Sequence, residues 1–176
     1  MAIREVLQMG HPLLREKARP IEPKEIASER LENLLKDMVD TLHDKGGIGL
    51  AAPQIGESLS LAIIEIEGGP SRYGELESIP LSVFINPKIE ILNPAVEGYW
   101  EGCLSVSGLR GFVERPQHIR VSFTQQSGGF AEMELKGFLA TVFQHEFDHL
   151  DGKLFIDRMT DTHLLSFEKE YQQFHL

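Results

Sequence analysis

The stretch that most constrains this chain is Gln144-His145-Glu146-Phe147-Asp148-His149-Leu150-Asp151-Gly152, set in an apolar run that begins at Gly137. The spacing predicts a helix from Gly137 to about Leu150, apolar on most sides and therefore buried. Positions i and i+4 of a helix share one face, so His145 and His149 can grip a single metal ion while Glu146 stands beside it. Four polar side chains on a buried helix are costly unless they are paired or coordinated. Two satisfied core histidines are the bland explanation, and HExxH is also the pattern of metal-dependent hydrolases.

A catalytic site of this kind needs about three protein ligands and an open position. A histidine six residues beyond His149 would complete one known pattern, but Phe155 stands there although Gly152 is in place. A downstream glutamate would complete another, and Glu168 and Glu170 are available on what reads as a surface helix. The remaining candidate is Cys103, the single cysteine, in Glu101-Gly102-Cys103-Leu104-Ser105. Its thiolate would be a strong soft ligand, although a lone cysteine is often a small core residue. From the residues alone these choices stay open.

With 176 residues, 41% hydrophobic and 25% charged, the composition suits one globular domain over 1–176. One cysteine excludes an internal disulfide. A net charge of −10 argues against a nucleic-acid surface, and no segment reaches membrane-span length. A cytoplasmic protein is expected. Ser28 caps a predicted helix running to about Lys45, closed by Gly46 and Gly47. Leu59–Ile66, Leu81–Ile85 and Lys88–Leu92 read as strands, the last two broken at Asn86-Pro87. Gly68 to Pro80 reads as a polar loop. Tyr99–Val106 reads as extended, and His118–Phe123 with Phe130–Leu135 as a hairpin about Ser127-Gly128-Gly129. A C-terminal helix is expected over Leu164–Phe174. Strands grouped between helices imply an α+β fold.

Three segments, Gly47-Ile48-Gly49-Leu50-Ala51-Ala52-Pro53-Gln54, Glu101-Gly102-Cys103-Leu104-Ser105 and Gln144 to Gly152, together resemble the signature motifs of peptide deformylase, in that family's order. The resemblance runs from about Leu7 to Arg158. It implies removal of the N-formyl group from formylmethionine-initiated nascent polypeptides, with release of formate. It also implies a central HExxH helix wrapped by antiparallel sheets, with Cys103, His145 and His149 as metal ligands. Ferrous iron would be the native metal, and zinc, nickel or cobalt could replace it. Glu146 would be the general base, and the Gln54 side chain with the Leu104 backbone N–H the oxyanion donors. Ile48 and Gly49 would pair with the substrate peptide, and Ile48, Arg110 and Val142 would border a methionine pocket. Gln144 and Asp148, flanking the ligands, are expected to orient them. Trp100 reads as a packing residue, and His11, His43, His118, His163 and His175 as surface or structural histidines.

Three positions depart from the pattern. Ser107 stands where proline is frequent. Gly46 replaces an acidic or polar residue; if such a residue pairs with the arginine at Arg110, this chain must hold Arg110 differently. The segment from Met159 to Leu176 is not basic, so ribosome docking through a basic C-terminal helix is not expected. Two other functions remain at this level: an HExxH endopeptidase using Glu168 or Glu170, and a non-catalytic metal-binding homologue.

Overall fold

The computed structural model describes residues 2–71 and 74–176. In chain order the elements are α1 (Pro23–Ile26), α2 (Glu29–Lys45), β1 (Gly49–Ala51), β2 (Leu61–Ile66), β3 (Gly69–Ser71), β4 (Gly74–Leu76), β5 (Ile79–Cys103), β6 (Val106–Thr124), β7 (Phe130–Lys136), α3 (Gly137–Asp148), β8 (Leu165–Phe167) and α4 (Glu168–Phe174). The architecture is α+β. One antiparallel sheet runs β1-β2-β5-β6-β7, and β8 pairs with the far part of β6. Strands β3 and β4 form a separate two-stranded ribbon. The expected wrapping sheets are thus one continuous six-stranded sheet, bent at bulges along the β5–β6 pair.

Helix α2 forms where the sequence places it. The Ser28 hydroxyl accepts the Leu31 N–H at 3.2 Å, and Gly46 closes the helix in the left-handed conformation at φ 64°. Its stripe of Leu31, Leu34, Leu35, Met38 and Leu42 packs on Leu50, Leu61, Ile63 and Ile85. A second core lies under α3, where Phe84, Phe143 and Phe147 meet edge to face or tilted. Helix α3 packs on β1, β2, β5, β6 and β7. It tightens into a 3₁₀ turn at His149–Asp151 and stops at Gly152. That stop requires glycine: φ is 68°, and a Cβ would lie 2.6 Å from the Arg15 carbonyl carbon.

Several boundaries differ from the sequence reading. Asn86-Pro87 does not end a strand. Asn86 adopts φ 51° at a bulge, and its side chain bonds the Ile21 N–H and carbonyl at 2.9 and 2.8 Å, so β5 continues through. The Gly68–Pro80 segment is not simply a loop, since β3 and β4 pair there; Arg72 and Tyr73 at its tip lie outside the described residues. The C-terminal helix starts at Glu168, because Leu165–Phe167 pairs with Leu109–Gly111.

Candidate active site

Three elements converge. Strand β5 ends at Cys103, which pairs with Val106 across the Leu104-Ser105 turn. Helix α3 and its 3₁₀ continuation present His145, Glu146 and His149. Strand β1 and the 3₁₀ turn Ala52–Ile55 present Gln54. One ligand atom from each of Cys103, His145 and His149 lies within 4.8 Å of the others. The Cys103 Sγ is 3.3 Å from His149 Nε2. That spacing suits a common ion bound at about 2.0–2.3 Å.

The electrostatics also suit a cation. Burial would raise the Cys103 thiol, but His149 and His145 facing the sulfur outweigh it and hold the thiol well below its ordinary value, toward the thiolate form that binds metal. Glu101 and Glu146 add two more acidic groups around the cluster. At the cluster, Glu146 Oε2 and His149 Nδ1 are buried with no protein hydrogen-bond partner among the described residues, as expected of polar groups that bond water. Burial pushes the Glu146 carboxyl above the ordinary carboxylate range, partly offset by His145 and His149. Gly49 lies against this carboxyl: a Cβ there would sit 2.4 Å from Glu146 Cδ. The Gly49 backbone therefore forms one wall of the Glu146 slot.

Behind the cluster is a charge network that sequence reading missed. His145 Nδ1 is 2.7 Å from Glu101 Oε2, which turns the other ring nitrogen, Nε2, forward. Arg115, only 3% exposed, donates to Glu101 at 2.6 and 3.1 Å and to Asp148 at 2.8 Å. Arg158 donates to the same Asp148 at 2.9 and 2.5 Å. Burial pushes the Glu101 and Asp148 carboxyls up, but His145 and Arg115 for the first, and Arg158 and Arg115 for the second, bring both below their ordinary values. Glu101 is thus the group that orients His145, the role the sequence reading gave to Gln144 and Asp148. Gln144 instead donates to the Ala140 and Pro116 carbonyls, both at 2.8 Å. Asp148 is linked to the Glu101–His145 pair through Arg115. Glu101 stood inside the cysteine motif, but nothing in the sequence around Arg115 marks it.

An Arg115→Met variant should lose about 3–5 kcal/mol of stability, because Glu101 and Asp148 would stay buried without their cation. Denaturant unfolding measures this. A loss under about 1 kcal/mol, the scale of a surface pair, would contradict the network's role.

The cluster opens into a cavity of about 920 Å³ lined by Ile48, Gly49, Gln54, Leu104, Arg110 and Val142, among others. Ile48 is 43% exposed, whereas Val142 also packs in the core beneath α3. Gln54 is oriented by the Ala51 N–H, which bonds its Oε1 at 2.8 Å; its Nε2 therefore points to Ser105 Oγ at 3.1 Å and Cys103 Sγ at 3.6 Å. Ser107 ties the turn by donating to Gln8 Oε1 at 2.7 Å, while Gln8 donates to the Leu104 carbonyl at 3.0 Å. Trp100 packs on Phe112, Tyr171 and His175, and also borders the cavity. None of His11, His43, His118, His163 and His175 joins the metal-competent group. Neither Glu168 nor Glu170 joins it, and Glu168 bonds Arg110 at 2.5 Å.

A family model described as polypeptide deformylase matches residues 3–164. The chain belongs to the peptide deformylase family. It is 46% identical over 159 residues to peptide deformylase 2 of Pseudomonas syringae, covering 90% of this chain and 88% of that one. It is 38% identical over 170 residues to the peptide deformylase of Leptospira biflexa, covering 97% and 95%. Among solved structures, the Met-Ala-Ser-bound class I type b peptide deformylase of Acinetobacter baumannii superposes with a TM-score of 0.82 at 32% identity, covering 90% of this chain and 99% of that one. The Thermotoga maritima peptide deformylase gives 0.78 at 34% identity, covering 92% and 100%. The chain is accordingly a peptide deformylase-type hydrolase that removes N-formyl groups from nascent polypeptides. The family is metal-dependent, and the Cys103, His145 and His149 group can bind a metal. No helix among the described residues is long and apolar enough to cross a membrane.

Proposed function

We propose that the whole chain is one catalytic domain in which Cys103, His145 and His149 hold ferrous iron, with zinc, nickel or cobalt as substitutes, and Glu146 is the general base. The observation that carries this is the buried, unpartnered Glu146 Oε2 beside three converging ligand atoms. When bound, the metal supplies Lewis acidity, lowering the pKa of water at its open position. Glu146 accepts a proton from the attacking water and delivers it to the departing amine nitrogen. Gln54 Nε2 and the Leu104 N–H donate to the formyl oxygen as charge gathers there.

Among the described residues strand β1 is an edge strand, paired with β2. Its outer side suits an extended peptide added as a further strand along Ile48 and Gly49. Ile48 and Val142 offer apolar walls for the methionine side chain, with Arg110 at the border. The substrates are N-formylmethionyl nascent chains in the cytoplasm. Helix α4 carries Glu168 and Glu170 against Lys169, a charge balance unsuited to docking on ribosomal RNA.

The test is formate release from a formyl-Met-Ala-Ser peptide by protein purified without oxygen and loaded with ferrous iron. Formate and free amine should appear in equal amounts. A chelator should abolish turnover, and ferrous iron should restore it. Peptide-bond cleavage, or no turnover with a filled metal site, would overturn the reading.

A further inference from the structure

The C-terminal segment reaches into the substrate cavity. Arg110 and Glu168 both line it, and Glu168 is the first residue of α4. The placement follows from strand register. Arg110 pairs with Ser166 of β8, so Glu168 emerges two residues later on the same edge. Glu168 Oε2 takes the Arg110 Nε–H at 2.5 Å, and Oε1 takes the Gln172 amide at 3.0 Å. Arg110 is confined on two other sides. Its guanidinium lies against Gly102, where a Cβ would sit 2.4 Å from Nη1. Its Cζ lies 5.8 Å from the ring centroid of Tyr171, which is 2% exposed and packs on Trp100. Gly102 directly precedes Cys103. The guanidinium is therefore fixed next to the metal-competent turn by residues of α4.

We propose that Glu168 is a specificity-determining residue that acts through Arg110. By pairing with this cation it neutralises this stretch of the cavity wall, so peptides are accepted with little regard to charge in the residues following methionine. This rests on the deformylase reading above. An ion pair presents no net charge to a substrate, whereas an unpaired, half-buried guanidinium attracts carboxylates and repels ammonium groups. The other titratable groups on the cavity, Glu5, Lys45, Glu101, Cys103, His145 and Glu146, are the same residues in the parent and in a Glu168 variant. A purely structural Glu168 would only anchor α4, and its removal would lower stability without favouring any substrate charge.

Formyl-Met peptides carrying Glu, Ala or Lys in the following residues separate the two roles. They would be assayed with the iron-loaded parent, Glu168→Gln and Glu168→Asp. In Glu168→Gln, the ratio of kcat/KM for acidic over basic peptides should rise by about fivefold, as expected of a partly exposed charge pair. The change should fall mainly in KM and should shrink toward the parent value in about 1 M salt, where the screening length is about 3 Å. Glu168→Asp, which keeps the carboxylate, should return the ratio toward that of the parent. Metal content should be equal in all three proteins. A parent-like charge ratio in Glu168→Gln, with or without a lower melting temperature, would overturn the proposal. So would an equal gain for acidic, neutral and basic peptides. Failure of the parent to release formate from any peptide would instead overturn the underlying reading of the site.

Discussion

A Cys103→Ser enzyme is expected to bind metal at least about 100-fold more weakly and to lose turnover with it. Disturbing the groups behind a metal ligand already costs about 10–100-fold in affinity or activity, and this change would remove the proposed ligand atom itself. A serine hydroxyl stays protonated near neutral pH and is a poor soft donor. The sulfur also accepts the Ser105 N–H at 3.4 Å and faces Gln54 Nε2 at 3.6 Å, so the shorter side chain loosens the turn that carries Leu104. Metal analysis after gel filtration and formate release, made on one preparation, measure both effects. Stoichiometric tightly held metal with parental kcat would remove Cys103 from the ligand set. Metal loss without unfolding is the expected pattern, because Cys103 lies at the border of the small core formed by Val106, Val113, Leu154 and Phe155 rather than inside it.

Local signals dominate what the sequence makes legible. Helix α2 shows its cap, apolar stripe and glycine stop within one continuous segment, and all three signals agree. The β6–β7 hairpin shows alternation on both sides of Ser127-Gly128-Gly129, and its register pairs Val121 with Met133. Reading failed where a distant segment satisfies the local one. Asn86-Pro87 reads as a break because proline cannot donate to a ladder. The strand survives because Asn86 borrows Ile21 as a partner from 65 residues away. Leu165–Phe167 reads as the start of a helix, yet the unpaired edge of β6 captures it as β8.

The site divides in the same way. Cys103, His145, Glu146, His149 and Gln54 lie in short motifs with recognisable spacing. Arg115, the Glu101–His145 contact and the Arg110–Glu168 pair do not, because they depend on how β5, β6, α3 and the C-terminal segment meet. Arg115 carries no spacing signal, since its partners lie 14 and 33 residues away. The absence of an acidic residue at Gly46 did carry information. If such a residue pairs with the arginine in relatives, Arg110 must be held differently here, and in this fold it pairs with Glu168.

The Glu146→Ala enzyme should keep its metal and lose about 10²–10⁴-fold in kcat, the usual contribution of a positioned general base. Among the described residues its carboxylate is the buried acid beside the cluster with an oxygen lacking a protein partner, whereas Glu101 is engaged by Arg115 and His145. Burial pushes the Glu146 carboxyl up. The base must be ionised to accept a proton, so the parent rate should fall as pH drops through the titration of this carboxyl. The variant has no such group, and its residual rate should lack that acid limb. Pairing the two profiles separates loss of a base from loss of metal, because a metal-depleted site would recover with added ferrous iron and this one would not. A near-parental kcat in Glu146→Ala, or a residual rate with the same acid limb, would assign the proton transfer to another group.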